Sequence, residues 1–111
     1  MSTLMVVFTG EYDVACKDVL RREFRRIESE PNVVFDFSDA KYLDSSCIGE
    51  LLTLRRERRR RGFARETVVM PPGESLVKRV FDLCGLERVF NVTRSYRPRA
   101  GEVVVLQYIS A

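Results

Sequence analysis

Val33-Val34-Phe35-Asp36-Phe37, Ser38-Asp39-Ala40-Lys41, Tyr42-Leu43-Asp44-Ser45-Ser46 and Cys47-Ile48-Gly49-Glu50-Leu51-Leu52 follow one another without a break, and their reading decides the fold. Val33 to Phe37 is apolar except at Asp36 and rich in β-branched and aromatic residues, which predicts a short buried strand. Ser38 to Lys41 predicts a turn or loop. Ile48, Leu51, Leu52 and Leu54 then recur at helical spacing. The helix they predict runs on through Arg55-Arg56-Glu57-Arg58-Arg59-Arg60-Arg61 to Gly62, a residue suited to the left-handed turn past a helix end. Asp44, Ser45 and Ser46 therefore stand where a loop enters a helix, facing backbone N–H groups and the positive end of the helix dipole. On spacing alone, helix capping accounts for these residues, because Asp and Ser offer a hydrogen-bonding oxygen to the first turn. An anion site is the functional alternative.

The flanking sequence repeats the strand-then-helix pattern. Leu4-Met5-Val6-Val7-Phe8 predicts a first buried strand that stops at Thr9-Gly10. Cys16, Leu20, Phe24 and Ile27 then lie on one stripe of an amphipathic helix that Pro31-Asn32 ends. Thr67-Val68-Val69-Met70 predicts a third strand closed by Pro71-Pro72-Gly73, and Leu76, Val77, Val80, Phe81 and Leu83 a third helix stopped at Gly85. After an irregular stretch from Asn91 to Gly101, Glu102 to Ile109 forms a terminal strand at the sheet edge. Alternating strands and helices predict an α/β fold: residues 1–111 as one small domain, a mixed, mostly parallel sheet with helices packed against it in a three-layered sandwich.

Composition narrows the chemistry. With 111 residues there is room for one core, and 45% hydrophobic with 32% charged residues suits a globular domain. No apolar run approaches the ~18 residues of a membrane span, so no membrane insertion is expected. Cys16, Cys47 and Cys84 are odd in number and far apart, which predicts neither disulfides nor a zinc site and fits a reducing cytoplasm. The chain has no histidine. The commonest general base and metal ligand is therefore missing, and the expectation is a non-enzyme without metal or cofactor. Net charge is +3, divided unevenly: residues 1–50 carry ten acids against six bases, residues 51–111 six acids against thirteen bases.

Four segments in order resemble the STAS domain of bacterial anti-sigma factor antagonists. Asp44-Ser45-Ser46 sits between a strand and a helix as in that family. Gly10-Glu11-Tyr12-Asp13 is similar to the family's Gly-Glu-Leu-Asp turn, and Gly85-Leu86-Glu87-Arg88-Val89-Phe90 to its Gly-Leu-acid-Arg-Val-Phe segment. The basic helix end at Gly62 completes the set. The resemblance covers roughly residues 4–92. It implies a binding switch that docks an anti-sigma factor serine kinase through Asp13, Asp44, Ser45, Ser46, Cys47, Ile48 and Gly49, with Ser45 as the phosphoacceptor whose modification releases the partner. Phosphorylation adds about −1.5 to −2 charges at such a surface. Cys47 stands where the family has Gly, which adds a side chain at the helix start. The family's usual opening strand has no counterpart before Leu4, and Glu102 to Ile109 is expected to take its place within the same chain. Pairing of that strand with a neighbouring molecule would instead make it a homodimer element.

A constitutive STAS scaffold subunit of a signalling or lipid-transport assembly, without phosphorylation, is the rival reading, and a small-molecule module using the helix start as an anion site is a third. The arginine run predicts a solvated helix end with Glu57 paired to Arg61. Mixed charge around Arg21, Arg22, Arg25 and Arg26, without interleaved aromatics, argues against direct nucleic-acid binding. Cys16 and Cys84 are expected to pack; for Cys47 packing and reactivity both stay open, because a helix N-terminus lowers thiol pKa.

Overall fold

The computed structural model describes residues 1–110. Strand β1 (Ser2–Tyr12) leads through a single 3-10 turn (Val14–Cys16) into helix α1 (Lys17–Ile27), followed by β2 (Val33–Leu43) and α2 (Ser45–Arg60). Next come β3 (Thr67–Val69), α3 (Leu76–Leu83), a second 3-10 turn (Leu86–Arg88), β4 (Asn91–Thr93) and β5 (Val103–Ser110). The sheet order is β4-β3-β2-β1-β5. All four pairings are parallel, so the mixed, mostly parallel sheet that was expected is here parallel throughout. No helix among the described residues is long and apolar enough to cross a membrane.

One face of the sheet carries Val6 and Phe8 of β1, Phe35 and Phe37 of β2, Val68 of β3 and Ile109 of β5, all buried in one apolar core. Leu20, Phe24 and Ile27 of α1, Ile48, Leu51 and Leu54 of α2, and Val77 and Phe81 of α3 close over it. Phe8 stacks on Phe37 at 4.3 Å between ring centroids and meets Phe24 edge-on at 6.3 Å. All three helices therefore share one face. The architecture has two layers rather than three, and the opposite face carries Met5, Val7, Val34, Val69, Leu106 and Tyr108 by the alternation of strand side chains.

Both long strands exceed their sequence reading. β1 continues past Phe8 through the Gly10-Glu11-Tyr12 segment read as a turn, and β2 continues through Ser38-Asp39-Ala40-Lys41, also read as a turn. Two register shifts explain the misreading. Val7 pairs with Asp36 while Thr9 pairs with Asp39, and Gly10 pairs with Ala40 while Glu11 pairs with Tyr42, so β2 twice holds one residue more than β1. The Asp36 carboxylate accepts the Ser38 N–H at 2.9 Å at the first shift, and Gly10 adopts φ 92° at the second. Polar residues there serve bulges in a strand. Leu76 and Leu83, placed on the apolar stripe of α3, are 52% and 81% exposed, and Cys84, expected to pack, is also exposed.

The arginine run is only partly solvated. Arg58 is 1% exposed, and its Nε donates to the Glu66 carboxylate at 2.6 Å. Its remaining donors reach the carbonyls of Ile27 at the end of α1 and of Glu30 and Pro31 in the turn that follows. The guanidinium also lies 4.8 Å from the Phe63 ring centre. Arg59 shares the same carboxylate at 3.2 Å. Arg60 and Arg61 keep to the exposed surface and pair with Glu57, at 2.9 and 3.1 Å respectively. One arginine of the run thus joins α1, α2 and the segment entering β3.

Candidate functional site

The C-terminal ends of β1 and β2 lie side by side, with Tyr12 paired to Leu43. The Asp44 N–H donates to the Tyr12 carbonyl at 2.9 Å, which brings the Asp13 turn and the start of α2 together. This is the end of a parallel sheet at which ligands and partners of α/β proteins gather. The 3-10 turn Val14–Cys16 packs against α2 on the same side.

Asp44 is the N-cap of α2. Its backbone is extended (φ −73°, ψ 154°), and its carboxylate accepts both the backbone N–H and the hydroxyl of Ser46. Those two bonds hold the Asp44 carboxyl below its ordinary pKa. Asp13 caps its own turn by accepting the Ala15 N–H at 2.9 Å. Both carboxylates are thereby engaged in local structure, and Ser46 is engaged with Asp44. Ser45 differs. Its side chain is exposed at the first position of the helix, and no hydrogen bond ties its hydroxyl to another described residue.

Cys47 resolves the departure from the family's glycine. It is buried, points away from the exposed Ser45, and donates its thiol to the carbonyls of Asp13 at 3.2 Å and Tyr12 at 3.6 Å. The side chain therefore fastens the helix start to the β1 turn and leaves Ser45 open. Burial, reinforced by the negative charge of Asp44, pushes the thiol up to about 11. Of the two readings left open for Cys47, a buried and hydrogen-bonded thiol fits packing.

The residues expected to face a partner divide by exposure. Asp13, Ser45 and Gly49 are exposed, and Asp44 and Ser46 half-buried. Cys47 and Ile48 are buried, so their side chains shape the surface from beneath without lying on it. Gly49, one turn beyond Ser45, has no atom within 4 Å of where a Cβ would stand, so it leaves a flat patch on the outer side of the helix. Val14, next to Asp13 and 66% exposed, is an apolar member of this surface that the sequence reading passed over. Its signal was an apolar residue lying off the stripe of the helix that follows.

Beneath the site, Tyr12 supplies rigidity. Its hydroxyl accepts the Thr9 N–H at 2.8 Å and donates to the Ile109 carbonyl, joining β1 to β5, and burial raises its pKa. Among the described residues there is no group of three or more His, Cys, Asp or Glu that could hold a metal ion. The arrangement presents a hydroxyl on a firm base, with nothing poised to activate it.

The STAS domain family model matches residues 2–98. No curated protein matches the chain. Among solved structures, the anti-sigma factor antagonist SpoIIAA in its unphosphorylated form shares the fold, with a TM-score of 0.60 and 17% sequence identity over 82% of this chain and 79% of that one. With that family model matched across most of its length, this chain belongs to the STAS domain family.

Proposed function

We propose that this domain is a protein-binding switch of the anti-sigma factor antagonist type. In the unmodified state the exposed surface of Asp13, Val14, Asp44, Ser45, Ser46 and Gly49 docks an anti-sigma factor that is also a serine kinase. Phosphorylation of Ser45 ends the complex. The observation that carries this reading is the exposed, uncommitted Ser45 hydroxyl at the start of α2, next to an Asp44 carboxylate already occupied by Ser46.

In the transfer step the Ser45 oxygen attacks the γ-phosphorus of ATP. An O–P bond forms, the bond between the γ-phosphorus and the β–γ bridging oxygen breaks, and ADP leaves with that oxygen. The hydroxyl proton passes to a base on the kinase, which also brings ATP and magnesium. Asp44 is a poor base for this purpose, since Ser46 stabilises its ionised form. The product carries about −1.5 to −2 charges at pH 7 beside Asp44. The helix N-terminus accommodates that charge within the domain, whereas a partner surface fitted to a neutral serine does not. The fold stays and the interface is lost.

The test is incubation with the cognate kinase and ATP, followed by mapping of the phosphate by mass spectrometry. Modification at Ser45, abolished in Ser45→Ala, supports the switch. An unmodified Ser45, together with partner binding that Ser45→Asp leaves unchanged, replaces it with the constitutive scaffold reading.

A further inference from the structure

β5 is paired on one side only. It runs beside β1 in eight consecutive parallel pairs from Ser2–Val103 to Thr9–Ser110, with no bulge, and no strand lies beyond it. The Val103 N–H donates inward to the Met1 carbonyl at 2.9 Å. Backbone groups alternate along a strand, so Val104, Leu106 and Tyr108 turn their N–H and C=O groups outward. An edge of this kind invites another strand, and proteins that avoid such pairing break the edge with charge, proline or a bulge. Val103 to Ser110 contains no charged residue and no proline.

The side chains on this edge are apolar and open. Val103, Val105, Leu106 and Tyr108 are 59%, 52%, 51% and 63% exposed. Beside them α1 offers Val19, Glu23 and Arg26, which with Gln107 and Tyr108 line a shallow groove. Glu23 and Arg26 lie one turn apart and 3.8 Å from each other, and Glu23 accepts a hydrogen bond from Gln107 at 3.2 Å. The edge thus combines an uncharged strand with a rim carrying one acid and one base.

We propose that this edge is a homodimer interface in which two copies pair their β5 strands antiparallel about a two-fold axis at Leu106, giving one ten-stranded sheet. The register follows from the backbone. An axis at Leu106 sets Leu106 opposite its equivalent and Val104 opposite Tyr108, so that outward-facing groups meet as hydrogen-bonded pairs and side chains share a face. The same operation runs the two α1 helices antiparallel, with Glu23 of each copy opposite Arg26 of the other. A rim of opposite charges that is its own complement fits a second copy of this chain and no strongly acidic or basic partner. Four half-exposed apolar side chains, the strand edge and the α1 rim from each copy bury about 1,000 Å² in total, the lower bound for a specific interface. The dimer is accordingly of micromolar strength.

Sedimentation velocity on the whole chain between about 1 and 200 µM tests this, a range chosen to bracket a micromolar Kd. The wild type should pass from 12.9 kDa to twice that mass. Val105→Lys/Leu106→Lys, at positions already exposed, should remain monomeric at every concentration with an unchanged unfolding midpoint. Glu23→Arg should weaken the dimer about tenfold, and adding Arg26→Glu should restore it. If the lysine variant does not fold, hydrogen exchange of the wild type gives the answer: the amides of Val104, Leu106 and Tyr108 should slow as concentration rises. A wild type monomeric at 200 µM, a dimer indifferent to the lysines, exchange at those amides independent of concentration, or a stoichiometric complex with a different protein in place of self-association overturns the proposal.

Discussion

Glu66→Gln should be among the most damaging single substitutions in this domain, although it changes one atom. Glu66 is 1% exposed, and its carboxylate receives Arg58 Nε at 2.6 Å and Arg59 at 3.2 Å. Gln keeps the shape and one acceptor but removes the counter-charge. Arg59, with over a quarter of its side chain in solvent, can turn to water. Arg58 cannot, because its guanidinium is enclosed by Phe63 and the carbonyls of Ile27, Glu30 and Pro31. Three carbonyl dipoles offset part of the lost charge, which places the cost near the lower end of the about 3–5 kcal/mol that follows from breaking a buried ion pair. A loss of about 3 kcal/mol is a large share of the ~5–15 kcal/mol that holds a domain together. At about 4 °C or more per kcal/mol for a domain of this size, the midpoint of thermal unfolding should fall by about 12 °C or more. Urea unfolding gives the free energy directly, with an unchanged m-value showing that the transition itself is the same. Arg59→Ala is the comparison and should cost less than Glu66→Gln, because it leaves the buried Arg58–Glu66 pair in place. A Glu66→Gln loss below about 1 kcal/mol would refute the claim that Arg58 is an internal tie.

Other outcomes follow from the site. In the native protein, alkylation by iodoacetamide at pH 8 should label exposed Cys84 readily and leave Cys47 unmodified until unfolding, by peptide mapping. Since folding raises the Cys47 thiol from 9.0 to about 11, its contribution is complete below pH 9 and is lost as pH rises through 11, so a Cys47→Ala variant should show a smaller decline across that window. Tyr12→Phe strands the Thr9 N–H and the Ile109 carbonyl and should cost about 1–3 kcal/mol in urea unfolding. Gly49→Ala meets no neighbouring atom and should stabilise α2 by about 0.5–1 kcal/mol while weakening partner binding, so stability and affinity move in opposite directions.

Legibility in the sequence tracked the regularity of each element. The order β1-α1-β2-α2-β3-α3 was visible because Leu20, Phe24 and Ile27, and Ile48, Leu51 and Leu54, repeat at helical spacing beside short apolar runs. β5 was readable from its run of β-branched and apolar residues, broken only by Gln107 before Tyr108-Ile109. The second half of β2 was hidden by its bulges, whose polar residues look like a turn until the register with β1 is known. β4, three residues with two exposed, has too little pattern to read. Arg58 was illegible among its neighbours, because a run of identical charges does not show which member turns inward; Glu66, the residue that selects it, lies eight positions on across a chain reversal. At the site, the capping role of Asp44 and the exposure of Ser45 agree with the sequence reading. Ile48 was readable as inward on the apolar stripe, whereas the inward direction of Cys47 needed the helix phase.

The central claim concerns one hydroxyl and is met most directly by titrating the kinase partner with the domain before and after stoichiometric phosphorylation of Ser45, using isothermal calorimetry. The account predicts a loss of at least about tenfold in affinity, equivalent to ~1.4 kcal/mol, with the unfolding midpoint of the free domain unchanged. Equal affinity of the two forms would contradict it.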